Sequence, residues 1–213
     1  MLLDTPSLYR IARFLALGTV FYNLVEGIVS TGLGYQDETL ALFGFGVDSF
    51  IETISGLGVL VMVRRLERAG SSCSSRDRSS FERSALLITG WSFYGLAATL
   101  AITIVINILT GAQPESTFWG VVVAGVSIVT MTALVLAKRR VGVALQSSAI
   151  LADANCTMVC IYMSIAVLLS SAIYELWGFP YADAIGALAL IWFSITEGRE
   201  CFAKAKGQEC GCE

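Results

Sequence analysis

The stretch LALFGFGVDSFIE, residues 40–52, places two acids inside an otherwise apolar run. Asp48 and Glu52 are four residues apart, so on an α-helix both carboxylates project from one face, roughly 6 Å apart at Cβ. A carboxylate pair inside hydrocarbon is costly, which makes a functional role its default interpretation. The alternative is an interhelical hydrogen-bond network, but two acids this close still need a cation or protons. The pattern therefore favours a cation-binding helix within a membrane.

A second pair with the same spacing follows about a hundred residues later, in ADANCTMVC, residues 152–160. Cys156 and Cys160 also project from one face of a helix. If the two faces turn toward each other, two oxygen and two sulfur ligands surround one point, which suits a tetrahedral cation of the zinc type or softer. Taken alone, the two cysteines are better explained as small buried hydrophobes of a packed helix. The two pairs together indicate a metal site formed by Asp48, Glu52, Cys156 and Cys160.

The composition indicates that the solvent is a lipid bilayer. The chain is 55% hydrophobic and only 15% charged, and its mean hydropathy is +0.72. The apolar runs are continuous, without the alternation of a membrane β-barrel, and each is near the roughly 20 residues that a spanning helix needs. The sequence therefore predicts an all-α integral membrane protein with six transmembrane helices, at residues 8–31, 39–66, 82–110, 117–137, 141–174 and 182–203.

The positive charges predict the orientation of these spans. All 14 Lys and Arg residues fall on one side of a six-span arrangement, with Lys138, Arg139 and Arg140 interpreted as the connection between the fourth and fifth spans. By the positive-inside rule that side is cytoplasmic, so both termini are expected in the cytoplasm. An odd number of spans would break the pattern.

The six cysteines do not indicate a disulfide framework, because Cys73, Cys201, Cys210 and Cys212 fall on the predicted cytoplasmic side, where thiols stay reduced. We divide the chain into a transmembrane domain, residues 1–206, and a short cytoplasmic tail, residues 207–213. Cys210 and Cys212 in this tail can chelate one soft cation and hand it to the membrane site, or can be incidental residues of a disordered end.

Three further polar residues lie within predicted spans and are accessory candidates. Glu26, with Asn23 one turn before it, is deep in the first span and can relay protons, support the metal site or form a structural hydrogen bond. Asp153 lies three residues before Cys156, on a neighbouring face, where it is expected to support a ligand or helix packing.

The order of these motifs resembles that of the cation diffusion facilitator transporters. Residues 40–52 are similar to their second transmembrane helix, residues 152–160 to their fifth, and Gly178, Tyr181, Ala182 and Asp183 to the entry of their sixth. The resemblance extends from the first span to about Ala205. It implies a dimeric six-helix exporter of divalent metal, usually zinc, driven by proton counterflow, with Asp48, Glu52, Cys156 and Cys160 as its metal ligands.

Two departures from that family affect the expected substrate and assembly. The chain contains no His, and cysteines replace the usual His and Asp of the fifth helix, so zinc is expected first, with cadmium, mercury and monovalent copper as softer alternatives. The chain ends about ten residues after the sixth span, without the family's cytoplasmic domain, so a homodimer would be held through the membrane helices. The expected location is a plasma, bacterial inner or vesicular membrane.

The ligand chemistry predicts exchange of metal for protons by alternating access. Metal needs thiolates and carboxylates, so loading releases protons, whereas removal from water favours the neutral forms of empty ligands. No resident cofactor or nucleic-acid partner is expected. Two other classes remain open, a non-transporting membrane subunit that binds metal or regulates a partner, and a metal-dependent enzyme or redox protein. The second lacks any recognisable base, nucleophile or cofactor motif, and we expect no enzymatic activity.

Overall fold

Six α-helices make up most of the described chain. In this computed structural model, residues 5–36, 40–69, 75–111, 118–177 and 182–207 are described. The helices are α1 Thr5–Gln36, α2 Leu40–Ala69, α3 Ser75–Thr110, α4 Phe118–Leu145, α5 Ser148–Trp177 and α6 Ala182–Ala205. No strand occurs within those ranges. The predicted all-α fold with six helices is confirmed.

The helices have the length and composition of membrane spans. Five of them are long and apolar enough within the described residues, over Ser7–Leu33, Leu42–Ala69, Ser79–Thr110, Trp119–Leu145 and Ser148–Ala166. The sixth helix, α6, has 24 residues, which at about 1.5 Å per residue exceeds the roughly 30 Å of a bilayer core. The protein is therefore a multi-pass membrane protein. The side on which its termini lie stays a prediction.

The distribution of side chains is that of a bundle with a lipid-facing surface. Large apolar residues such as Phe21, Val129 and Trp192 are more than two-thirds exposed on the outside of the helices, as expected where the surrounding solvent is hydrocarbon. Carboxylates, hydroxyls and one lysine are instead buried in the interior, including Asp48, Glu52 and Lys138. Polar chemistry is thus concentrated between the helices, and in a membrane protein such buried polar groups mark a candidate functional site.

Helices α1 and α2 form the most extensive helix pair, and α3 with α6 and α4 with α5 are next. The close approach of α1 to α2 depends on small residues. A Cβ atom placed on Gly46 would lie 2.3 Å from Oγ1 of Thr31 and 2.6 Å from its backbone nitrogen. Glycine at position 46 therefore lets the two backbones meet beside Asp48, as small residues do in membrane bundles.

The boundary between the fourth and fifth spans differs from the prediction. Lys138, Arg139 and Arg140 lie inside α4, which continues to Leu145, and α5 begins only at Ser148. The reversal is made by a tight turn in which Gln146 has a φ of 49°, and the Ser147 hydroxyl accepts a hydrogen bond from the amide of Ile150. The basic residues suggested a loop because charged side chains usually lie outside the bilayer. In the structure, Lys138 instead pairs with the buried carboxylate of Asp153.

Some predictions concern residues outside the described ranges. These are the cysteines Cys73, Cys210 and Cys212, and the residues Gly178 and Tyr181 before the sixth helix. The division into residues 1–206 and a tail stays a prediction as well.

Candidate metal site

The two predicted ligand pairs lie on buried faces of α2 and α5, two helices that contact each other. Asp48 and Glu52 are 3% and 1% exposed, and Cys156 and Cys160 are 1% and 4% exposed. Both pairs fall within continuous helix, so each has the one-face geometry that its spacing predicts. The functional side chains therefore face the interior of the bundle and not the lipid.

Glu52 and Cys160 are in direct contact. The Cys160 thiol donates a hydrogen bond to Oε2 of Glu52 over 2.9 Å, and the other carboxylate oxygen, Oε1, accepts a short hydrogen bond from the Thr157 hydroxyl. One acid from α2 is thus held by two side chains of α5. If a cation were to bind both groups, the proton of this hydrogen bond would have to leave first.

Asp48 lies one helical turn from Glu52, and one oxygen of its carboxylate lacks a hydrogen-bond partner among the described residues. Its Oδ1 atom is buried and has no hydrogen-bond partner in the described part of the chain. Buried polar atoms nearly always have a partner, so such an oxygen calls for a specific explanation. Asp48 also lies within electrostatic range of Glu52 and Cys160. An incoming cation would supply the missing partner.

The four predicted ligands do not form one compact cluster. Among the described residues, no group of three or more Cys, Asp or Glu side chains is close enough to hold a metal ion. The structure brings Glu52 and Cys160 together but leaves Asp48 and Cys156 outside this contact. Cys156 is buried within electrostatic range of Glu52, Asp153 and Lys138. The four-ligand set stays a prediction.

Lys138 is the functional candidate that sequence reasoning missed. Its ammonium lies 2.8 Å from Oδ2 of Asp153, in an ion pair whose side chains are 2% and 1% exposed. It also donates a hydrogen bond to the Thr157 hydroxyl over 2.8 Å. A signal was present in the sequence, because an acid such as Asp153 inside an apolar span needs a cationic partner. The accessory residue Asp153 thus pairs with a lysine of α4.

The ion pair belongs to a network that joins four helices. Oδ1 of Asp153 accepts a hydrogen bond from Ser55 of α2 over 2.8 Å, and the Ser55 hydroxyl lies 3.0 Å from that of Thr89 on α3. Because Thr157 bonds both Lys138 and Glu52, the network reaches the candidate site itself. Each member of the pair is satisfied by hydrogen bonds, which a buried charge requires.

A second polar group lies on the α1 side of the site. Glu26 is buried and accepts hydrogen bonds from Tyr22 and from Ser49, each over 2.9 Å. Ser49 follows Asp48 in the chain, and Glu26 also lines a cavity of about 570 Å³ between α1 and α4. The side-chain nitrogen and oxygen of Asn23 are buried without a partner among the described residues. Of the two accessory residues of α1, Glu26 thus lies between this cavity and the acidic helix.

Comparison with known proteins identifies the family. The profile of the cation efflux transmembrane domain matches residues 14–206, which include all six helices except the first turns of α1. No curated protein matches the chain. Members of the matched family are transporters of metal cations and not enzymes. The chain belongs to the cation efflux family, also called the cation diffusion facilitators.

Proposed function

We propose that this protein exports a thiophilic divalent cation, with Zn²⁺ as the first candidate and Cd²⁺ and Hg²⁺ as alternatives, in exchange for protons. The cation is the substrate, and its ligands are Asp48, Glu52, Cys156 and Cys160. Two carboxylates and two thiolates form a four-ligand set that suits zinc and softer ions better than magnesium or manganese.

The observation that supports this proposal most is the contact between Glu52 and Cys160, 2.9 Å apart on different helices. Oxygen and sulfur donors from the two helices meet inside the transmembrane domain that defines the family. A cation held by this pair alone lacks two of its four usual ligands. We therefore expect metal binding to draw Asp48, with its unpaired Oδ1, and Cys156 into the same coordination sphere.

Proton exchange follows from the same contact. The hydrogen on Cys160 Sγ is donated to Glu52, so a metal can bind both groups only after this proton has left. A site that carries protons when empty and metal when loaded exchanges the two ions if it is exposed alternately to each side of the membrane. An inward proton gradient then drives metal outward.

Glu26 is proposed as an accessory group that relays protons to the site. It lines the cavity between α1 and α4 and bonds Ser49, the neighbour of Asp48. Asn23, one turn away, has two buried polar atoms free to bond water or a ligand within the described structure. Both residues are accessory, because neither contacts Glu52 or Cys160 through a hydrogen bond described in the structure.

We further propose that the protein acts as a homodimer held by its membrane helices, with both termini in the cytoplasm. The cytoplasmic tail residues Cys210 and Cys212 would capture a cation before it reaches the membrane site. The membrane concerned is a plasma, bacterial inner or vesicular membrane.

Metal flux tests the transport proposal. The purified chain is inserted into liposomes that contain a zinc-sensitive dye, and an opposing pH gradient is imposed. Zinc movement should be accelerated by the proton gradient, lost in Glu52→Gln and retained in Cys201→Ser, a buried thiol on α6 outside the proposed ligand set. Tight binding without flux would contradict transport and favour a non-transporting metal-binding subunit.

A further inference from the structure

Thr157 occupies the position between a buried cation and a predicted metal ligand. Its hydroxyl accepts a hydrogen bond from the Lys138 ammonium over 2.8 Å and contacts Oε1 of Glu52. The three side chains come from three helices, α4, α5 and α2, and all are 2% exposed or less. Thr157 therefore contacts both side chains directly.

The direction of each hydrogen bond follows from the chemistry of the groups. A lysine ammonium can only donate, and a threonine hydroxyl has one proton. Since Thr157 accepts from Lys138, its proton is free for an acceptor elsewhere. Two acceptors are in reach, the carbonyl oxygen of Asp153 at 3.2 Å and the nearer Oε1 of Glu52. Of the two, Oε1 of Glu52 is the stronger acceptor when the carboxyl group is ionised.

The two oxygens of Glu52 consequently have different tasks. Oε1 is held by Thr157, whereas Oε2 faces the Cys160 thiol. Oε2 and Sγ thus lie 2.9 Å apart, while Thr157 anchors Oε1. Because Thr157 already holds the Glu52 side chain in place, this side chain loses less conformational freedom when it binds metal.

We propose that Thr157 and Lys138 are positioning residues of the metal site, in which Lys138 directs the Thr157 proton onto Glu52 and so fixes the coordinating oxygen. This inference rests on the proposed function, because it assumes that Glu52 binds the transported cation. Lys138 is itself held in place by Asp153, which Ser55 bonds from the other side.

The competing explanation is that the Lys138–Asp153 pair only joins α4 to α5. In that case Thr157 would be a bystander, and its loss would leave metal affinity unchanged. Removing Lys138 alone cannot decide between the two, because it also deletes a positive charge near the metal and leaves Asp153 unpaired. A neutral replacement of the whole pair, Lys138→Met with Asp153→Asn, keeps the net charge constant.

Zinc titration of the purified full chain tests the proposal, with zinc alone as the probe and with Cys210→Ser and Cys212→Ser in every sample, so that the tail thiols do not contribute to binding. Thr157→Val removes the hydroxyl at nearly constant volume and should weaken zinc binding about 10- to 100-fold, the usual effect of losing a partner of a metal ligand. Thr157→Ser keeps the hydroxyl and should bind within a few fold of wild type. The neutral double variant should be weakened as much as Thr157→Val.

Combining the variants separates positioning from a general structural effect. Since Lys138 acts through Thr157, adding Thr157→Val to the neutral double variant should cause no further loss of affinity, whereas independent effects would multiply. Wild-type affinity in Thr157→Val, or multiplied losses in the triple variant, would overturn the proposal. All titrations use monodisperse protein, and the Thr157→Val and Thr157→Ser comparison decides even if the double variant fails to fold.

Glu52→Gln distinguishes the failure of this inference from that of the proposed function. If zinc binding is lost in Glu52→Gln but unchanged in Thr157→Val, only the positioning role is wrong. If Glu52→Gln binds zinc as tightly as wild type, Glu52 is not a ligand, and both the site and the positioning role are wrong.

Discussion

Sγ of Cys160 lies 2.9 Å from Oε2 of Glu52, although the two residues are 108 positions apart in the chain. This contact joins α2 to α5 at the level of both predicted ligand pairs. If both groups bind a cation, as proposed, the proton of this hydrogen bond must first leave. The predictions that follow concern this contact and the polar network beside it.

Zinc affinity should fall as the pH is lowered. Binding requires thiolates at Cys156 and Cys160, so protons compete with metal, and the dissociation constant should rise about tenfold per pH unit for each proton released. Titrations from about pH 6 to 8 in buffers of different ionisation enthalpy measure both the affinity and the protons released. An affinity that is independent of pH, with no proton release, would contradict the exchange mechanism.

The two thiols should determine metal preference. In Cys160→Asp a hard oxygen ligand replaces sulfur, so the affinity for cadmium should fall more than that for zinc. Competition titrations with the two metals give the ratio directly. Cys201→Ser is the matched control, because it removes another buried thiol and should leave the ratio unchanged. Equal losses for both metals in Cys160→Asp would argue against sulfur coordination.

The buried ion pair should matter far more to stability than a surface pair. Lys138→Met leaves the buried Asp153 carboxylate without its cation and should cost about 3–5 kcal/mol. The neutral combination with Asp153→Asn should recover part of this loss. Lys204→Met removes a pair with Glu200 whose side chains are 34% and 36% exposed, and it should cost less than about 1 kcal/mol. Thermal unfolding in detergent compares them, and equal effects at both sites would be inconsistent with this account.

The α1–α2 interface should be sensitive to a single methyl group. In Gly46→Ala the new Cβ would meet Thr31 at 2.3 Å, so the helices must separate, at a cost of about 1–3 kcal/mol. Gly95→Ala on α3 is the control, because the nearest atom to its Cβ is 3.8 Å away. The melting temperatures of the two variants provide the test. A normal melting temperature for Gly46→Ala would show that the close approach is not required.

The sequence allowed the helical fold to be predicted, and it predicted that the two residues of each candidate pair share one helix face, because hydropathy and the four-residue spacing are local properties. The end of α4 was not predicted correctly. A run of three basic residues indicates a loop if charged side chains are assumed to lie outside the bilayer. Only the tertiary structure shows that Lys138 forms an ion pair with Asp153 and a hydrogen bond with Thr157 inside the bundle. The contact between Cys160 and Glu52 is also tertiary, since spacing fixes a helical face but not the residue opposite it.

The most direct test of the proposed site is calorimetric titration of the detergent-purified chain with zinc, cadmium and mercury. Wild type is compared with Asp48→Ala and Cys156→Ser, the two predicted ligands that do not share the Glu52–Cys160 contact, and with Cys210→Ser combined with Cys212→Ser as a control for the tail. The account predicts about one ion per protomer bound at the membrane site, abolished by Asp48→Ala and by Cys156→Ser and retained in the tail variant. Tight binding that survives both ligand substitutions in a chain that also carries Cys210→Ser and Cys212→Ser would contradict the four-residue site.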